Sequence, residues 1–493
     1  MPSTIQFQEW TPDVPDRKNG ALEAKGVVSI AGSYAPFKAF SDYNGSSAGT
    51  DAVCLGIKGV YDSGGNGQIF AGDGAKLYTL VSRAATDVSK SGGYTVGSDE
   101  WWGFEQFGDY VVAVAAGEAP QVYQMGVSTD FANLAGSPPS GATSVARIND
   151  FLMLGKDFTV HWSAFNNITS WTPSATTQAG NQQLDQSQGK IQTIVGGQYA
   201  AIFQERAIRR AIYAGPPVIW DFGQDAVETK RGAIGPNAAA RFGGSIFFAA
   251  DDGFYVFDGN ASTPIGSGKV DAYFQRRLNY GYRHKVCVGV DTINKFVVFG
   301  IPAGSATNIS ELLIYSLTDG RWTHDEVDLE WLTDMPVEAL TVDNFHTYET
   351  SDDLDSSNLD PISIDSNVFD EKRRLLTGVE LLTHHIGTFS GATRQATIET
   401  GEFEPAAGQR ALVTELWPVG DFSSSAVSMS VGYRRALPGA AIAYTQPTAM
   451  NRVGYCPQRI DARFVRARMQ ITAGSIWTRA EGVHHTAVLT GGR

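Results

Sequence analysis

Cysteine is scarce in this 493-residue chain: Cys54, Cys287 and Cys456 lie far apart, are odd in number and never form a CxxC pair. That excludes a disulfide framework and fits assembly in a reducing compartment. Charge is sparse too, at 18% of residues, and its balance is negative, −14 at pH 7 with a pI near 5. A mean field of that sign repels DNA and anionic membranes, so coating either through the whole surface is excluded while a local basic patch remains open. No apolar run is long enough for a membrane helix. The opening MPSTIQFQEWTPDVPDRK has neither the basic start nor the apolar run of a secretory signal. Without an export signal, the N-x-S/T matches at Asn44, Asn167, Asn260 and Asn308 carry little weight. Catalytic motifs are also missing: no GxSxG, Walker A loop, HExxH, or GxGxxG after a strand. No catalytic residue, cofactor or metal ligand is therefore assigned.

What the chain does have is glycine, 54 residues, and aromatics, 11%. Glycine between short aromatic and β-branched runs marks a chain that turns back often. Long amphipathic helices are few; RKNGALEAKG and EKRRLLTGVELL are the nearest candidates. One form recurs: IFAGDGAKLYTL from 69, DYVVAVAAGEAPQVY from 109, DFLMLGKDFTVHW from 150, QYAAIFQERAIRRAIYAG from 198, SIFFAADDGFYVFDG from 245, and NKFVVFGIP with SELLIYSLTDGRW from 294 and 310. Each is an apolar run, a turn, and a second apolar run. Aligning Tyr78, Tyr123, Trp162, Ile212, Tyr255 and Tyr315 gives separations of 45, 39, 50, 43 and 60 residues. That is the span of a four-stranded unit with its loops. Stacked β-sandwiches would use the same runs, but radial closure leaves only short, protected edges. The expected fold is all-β: a β-propeller of about six blades with an additional C-terminal β domain. Residues 1–60 are read as an N-terminal arm leading into the first blade and 61–335 as the blades. Residues 336–371 are read as an acidic loop or linker, and 372–493 as the C-terminal domain, contributing strands to propeller closure.

Asp251 and Asp252 invite a glycosidase reading, since two carboxyls about 5–9 Å apart are what that chemistry needs. The competing reading is a turn, in which Asp side chains bond their own backbone and Gly253 tolerates a left-handed conformation, as at Asp73-Gly74 and Asp319-Gly320. Asp352, Asp353, Asp355 and Asp360 resemble a calcium loop without its glycine at six and glutamate at twelve. The pairs His384-His385 and His484-His485 do not chelate alone, because neighbours on a strand face opposite ways. Arg206, Arg209 and Arg210, Arg276 and Arg277, and Arg466 and Arg468 are candidate channel or interface cations. Trp101, Trp102, Trp162 and Trp171 are candidate interface aromatics, because ten tryptophans exceed the needs of one modest core.

FQEWTPDVPDRKNGALEAKGVVSIAGSYAPF, IFAGDGAKLYTL with DVSKSGGYTV, HWSAFNNITSWTP, and RFVRARMQI with IWTRAEG together resemble the tail nozzle or hub family of short-tailed bacteriophages, which includes the packaged-DNA stabilisation proteins. The resemblance implies a β-propeller subunit of a homo-oligomeric, hexameric ring below the portal and adaptor, in a virion tail assembled in the host cytoplasm. It implies tail fibre, spike or needle proteins as neighbours, transient non-specific contact with duplex DNA in the lumen, and no membrane anchoring. By similarity, Pro12 to Pro15 and Gly32 to Phe37 form the arm entering the first blade, while Trp162, Ser163 and Trp171 mark a blade and its loop. The family carries no catalytic residues or cofactor. The alternative is a propeller-type glycan-binding protein or glycoside hydrolase, in which carboxylates such as Asp221, Asp251 or Asp252 converge at one end of the central tunnel.

Overall fold

The computed structural model describes residues 3–14, 20–43, 47–65, 67–81, 84–336, 374–434 and 441–491. The acidic stretch with Asp352, Asp353, Asp355 and Asp360, and Pro15 of the arm, lie outside them. Six antiparallel four-stranded blades follow one another in chain order. Their innermost strands are Gly56–Tyr61, Gly103–Phe107, Ser144–Ile148, Ile191–Val195, Ala239–Phe242 and Cys287–Asp291. Tyr78, Tyr123, Trp162, Ile212, Tyr255 and Tyr315 all fall on the third strand of their blades. The two long separations hold the polar loop around residues 166–190 and the short helix Asp271–Arg277 rather than a further blade.

The second strand of each blade explains the strongest apolar runs. Phe151–Lys156, Ala200–Gln204, Ser245–Ala250 and Phe296–Ile301 are buried along nearly their whole length, because a blade's interior strand meets neighbouring blades on both faces. Aromatic rings carry much of that contact. Phe70 of blade one meets Tyr123 of blade two at 5.3 Å, Phe151 of blade three meets Trp220 of blade four at 5.3 Å, and Phe203 of blade four meets Phe248 of blade five at 5.2 Å. Burying each such ring contributes about 1.5–3 kcal/mol.

Ring closure uses a device absent from the repeated pattern. The fourth strand of blade six, Trp322–Pro336, runs for 15 residues. Its first half pairs with Ile309–Ser316, and its second half pairs with Arg374–Glu380. This second hairpin fills the space between blade six and blade one. A Cβ on Gly289 would meet Leu376 and Thr333, and one on Gly59 would meet Pro336 and Met335. EKRRLLTGVELL, a helix candidate by composition, thus supplies a strand: tertiary pairing with Leu329–Pro336 overrides its helix-favouring residues.

The C-terminal part is a two-sheet sandwich. One sheet holds the hairpin Val27–Ile30/Ser33–Pro36 with Ala480–Gly491, Arg410–Gly420 and Cys456–Ala462; the other holds Ala396–Glu399, Phe464–Ile471 and Val427–Arg434. Val413, Leu416, Val427, Met429, Val465, Met469 and Val483 fill the space between them. The N-terminal arm packs here through Ser3–Gln6 and residues 27–36 before it leads into Gly56–Tyr61 of blade one. Strand Glu23–Lys25 lies between Trp322–Pro336 of blade six and Ala396–Glu399 of the sandwich, joining propeller and sandwich in one continuous sheet.

Candidate functional site

The innermost strand of every blade borders a central channel. Gly103 and Glu105, Val145 and Arg147, Thr193 and Val195, and Ala239 and Arg241 all line one central cavity of about 960 Å³. Lys58 from blade one, and Asp334 and Arg374 from the closing hairpin, complete its charged lining. Lys58 Nζ lies 3.3 Å from Glu105, and Arg374 Nε lies 2.5 Å from Asp334 while its Nη2 donates to the Asp334 carbonyl at 3.2 Å. Both carboxylates of the channel are thus held in ion pairs. None of these six was singled out from sequence. A signal existed: GIKGVY, GFEQF, SVARI and AARF each carry one charge at the third or fourth position of an inner strand.

The sequence-selected arginines lie elsewhere, and none lines this cavity. Arg206 is exposed at the turn after Ala200–Gln204. Arg209 Nη1 reaches the Gln224 carbonyl at 3.5 Å, and Arg210 donates to the Gly259 carbonyl at 3.0 Å and to Asn260 Oδ1 at 2.8 Å, tying blade four to blade five. Arg276 sits 3.4 Å from Asp13. Arg277 donates through Nε and Nη2 to buried Glu311, whose other oxygen accepts from Tyr273. Arg466 and Arg468 do share a face of their strand, but Glu399, Glu402 and Tyr444 cover it, so that face is neutralised.

Three of the four tryptophans are corrected by burial within the chain. Trp102 packs edge-on against Tyr94 at 5.0 Å and donates to the Asp73 carbonyl, Trp162 donates to the Gln178 carbonyl, and Trp171 to that of Ile168. With 1–7% of their surface exposed, they have nothing to offer another subunit. Their indole N–H groups explain the position: a large ring enters a core where a carbonyl satisfies its donor. Trp101, half-buried, lines the channel and donates to the Thr143 carbonyl at 2.8 Å.

Asp251 and Asp252 form a two-residue turn, since Ala250 pairs with Gly253. They do not fold back on their own backbone as expected: Asp252 pairs with Arg231 at 2.9 Å, and Asp251 accepts from Tyr280 at 3.5 Å. Asp73 and Asp319 do act as turn residues, accepting from backbone N–H groups two or three residues on. Neither Asp221, which accepts from Gly223 N–H, nor Asp251 or Asp252 lines the channel. His384 Nδ1 lies 2.7 Å from Glu330 and His385 Nδ1 3.2 Å from Asp42. His484 bonds Thr4 while the His485 ring lies tilted against Phe403 at 5.1 Å. No cluster of three metal-ligating side chains occurs among the described residues.

Behind the Asp251-Asp252 turn, burial pushes the Asp271 carboxyl up to about 6, opposed by the Phe254 N–H and reinforced by Asp13 and Asp252. A folded-state value above the unfolded one favours the protonated fold. Its contribution is therefore full below the ordinary carboxylate range and lost as pH rises through about 6. Asp271→Asn retains an acceptor for Phe254 and is expected to raise the melting temperature more at pH 7.5 than at pH 5. Equal shifts in parallel thermal melts at the two pH values would contradict this.

The fold defines a six-bladed β-propeller closed by a hairpin and fused to a β-sandwich, with a charged central channel. No protein-family model and no curated protein matches the chain. Among solved structures, the computationally designed Ika8 protein aligns with TM-score 0.36 at 10% identity, over 77% of this chain and 98% of its own. BBS1N, solved in complex with ARL6DN, aligns with TM-score 0.41 at 9% identity, over 72% and 97%. A quinonprotein alcohol dehydrogenase-like protein from Bacteroides thetaiotaomicron aligns with TM-score 0.34 at 10% identity, over 55% and 65%.

Proposed function

We propose that the protein is a structural component of a short-tailed bacteriophage tail, a nozzle or hub ring subunit that conducts and retains the packaged genome. The observation that carries this reading is the strand Trp322–Pro336, shared by blade six and the closing hairpin and sealed to the sandwich by Glu23–Lys25. Parts joined through hydrogen-bonded sheet resist relative motion, unlike domains joined by a linker, and a conduit wall under load needs that stiffness. The acidic balance of the sequence, −14 overall, suits a tube that must let duplex DNA pass without holding it. In this reading the partners are further copies of the chain in a hexameric ring, the adaptor and portal above, and a fibre, spike or needle below, in a tail assembled in the host cytoplasm.

Negative-stain imaging of the protein alone and mixed with its adaptor and portal tests this. Rings with a central opening wide enough for duplex DNA are expected, at least with the partner ring present as template. A persistent monomer in both samples would overturn the proposal.

A further inference from the structure

The channel lining opposes the charge of the molecule around it. Four cations and two carboxylates face the cavity, whereas the whole chain carries −14. Because Glu105 and Asp334 are taken by Lys58 and Arg374, Arg147 and Arg241 hold the surplus. Arg147 donates to the Asn149 carbonyl at 3.0 Å and lies 3.8 Å from Asp150, a distant pairing. Arg241 has less still. Its guanidinium lies over the Tyr199 ring at 5.2 Å, and its Nε and Nη2, shielded from solvent, have no hydrogen-bond partner among the described residues. Asn237 Nδ2, in the same lining, is also a shielded donor without an acceptor.

Shielded donors without acceptors are costly, and a cationic one more so. The backbone nonetheless holds this arrangement. Gly196 and Gly197 follow the inner strand of blade four, between Arg147 on blade three and Arg241 on blade five. A Cβ at 196 would lie 2.2 Å from the Arg147 carbonyl oxygen, and one at 197 would lie 2.5 Å from Arg241 Cζ. The glycine pair thus lets both arginine-bearing strands close in around one stretch of channel. Nε and Nη2 of Arg241 are closed even to water, so the part of its guanidinium that a molecule in the channel can reach is Nη1, which is not among the shielded atoms.

We propose that the propeller channel binds a small multivalent anion bearing phosphate or carboxylate groups, with Arg241 as its principal ligand and Arg147 as the second. A guanidinium donates charge-assisted hydrogen bonds to either group. A cavity of about 960 Å³ admits a small molecule and excludes a DNA duplex. The site is formed within one chain, so it stands or falls separately from ring assembly.

Titration calorimetry on the full-length protein at low ionic strength tests it, with pyrophosphate and tricarballylate in separate arms to distinguish phosphate from carboxylate. Saturable binding of one anion per chain is expected in at least one arm. Arg241→Gln should weaken it about tenfold, and Arg147→Gln should weaken it less. Arg459→Gln, at an exposed position in the sandwich, should leave it unchanged. Should Arg241→Gln misfold, Arg147→Gln and the rise in the wild-type melting temperature with anion still decide. No binding in either arm, or equal binding by all three variants, overturns the proposal.

Discussion

Replacing Gly253 by valine is expected to destabilise the protein by about 3 kcal/mol, while Asp251→Asn shifts it by less than about 0.5 kcal/mol. Gly253 has φ +147, a conformation that L side chains rarely adopt. A Cβ there would lie 2.3 Å from Asp271 Cγ and 2.4 Å from its Oδ1. Asp271 cannot swing aside freely, because Oδ1 accepts the Phe254 N–H at 3.2 Å and the residue opens the helix Asp271–Arg277. Phe274 of that helix packs on Phe254 at 4.7 Å, and Phe254 in turn meets Phe299 and Trp322 of blade six. Displacing the helix would therefore loosen the junction of blades five and six. Asp251 is exposed and has only a long contact to Tyr280, so Asn replaces it at little cost. Denaturant titration of the two variants checks the contrast; equal midpoints, or the larger loss at Asp251, would contradict it.

That turn shows how much the sequence revealed and where it stopped. The aromatic on the third strand of five of the six blades was legible because those blades repeat one burial problem, and a repeated problem leaves a repeated residue pattern. Ile212 of blade four, 43% exposed, departs from it. Turn chemistry was legible at Asp73 and Asp319, each of which accepts from a backbone N–H two or three residues on, although the Ser29 hydroxyl and Gly32 N–H that also donate to Asp319 were not. At Asp252 it was not, because the partner, Arg231, is 21 residues off and belongs to the folded blade. The tryptophans misled for a related reason. Composition counts rings, but whether a ring is covered depends on the facing strand. The closing hairpin was least legible, since Arg374–Glu380 becomes a strand only when Leu329–Pro336 is beside it. The channel residues stood between these cases: single charges at regular places in apolar strands, visible once the inner strand of each blade is known.

Glu399→Ala should cost about 3–5 kcal/mol, the loss expected when one member of a buried ion cluster is removed and its partners remain. Glu399, with 2% of its side chain exposed, accepts from Arg468 Nε at 2.7 Å and Nη2 at 2.6 Å and from Tyr444 O–H at 2.7 Å; Arg466 Nη1 is 3.8 Å away. Its backbone sits at a seam, paired with Glu23 of the N-terminal strand on one side and Arg468 on the other. The first region to open in the variant should therefore be the contact between Glu23–Lys25 and the sandwich. Hydrogen exchange should rise there before it rises in blades two to four. The double variant Glu399→Ala/Arg468→Met should be less destabilised than the two single losses added together, because removing the second charge relieves the burial cost that the first loss exposes. Strict additivity would mean that the cluster is a set of independent contacts, and unchanged exchange at Glu23–Lys25 would mean that the seam does not depend on it. Since that seam makes propeller and sandwich one body, a sheet that opens there should also separate the melting of the two parts into distinct transitions.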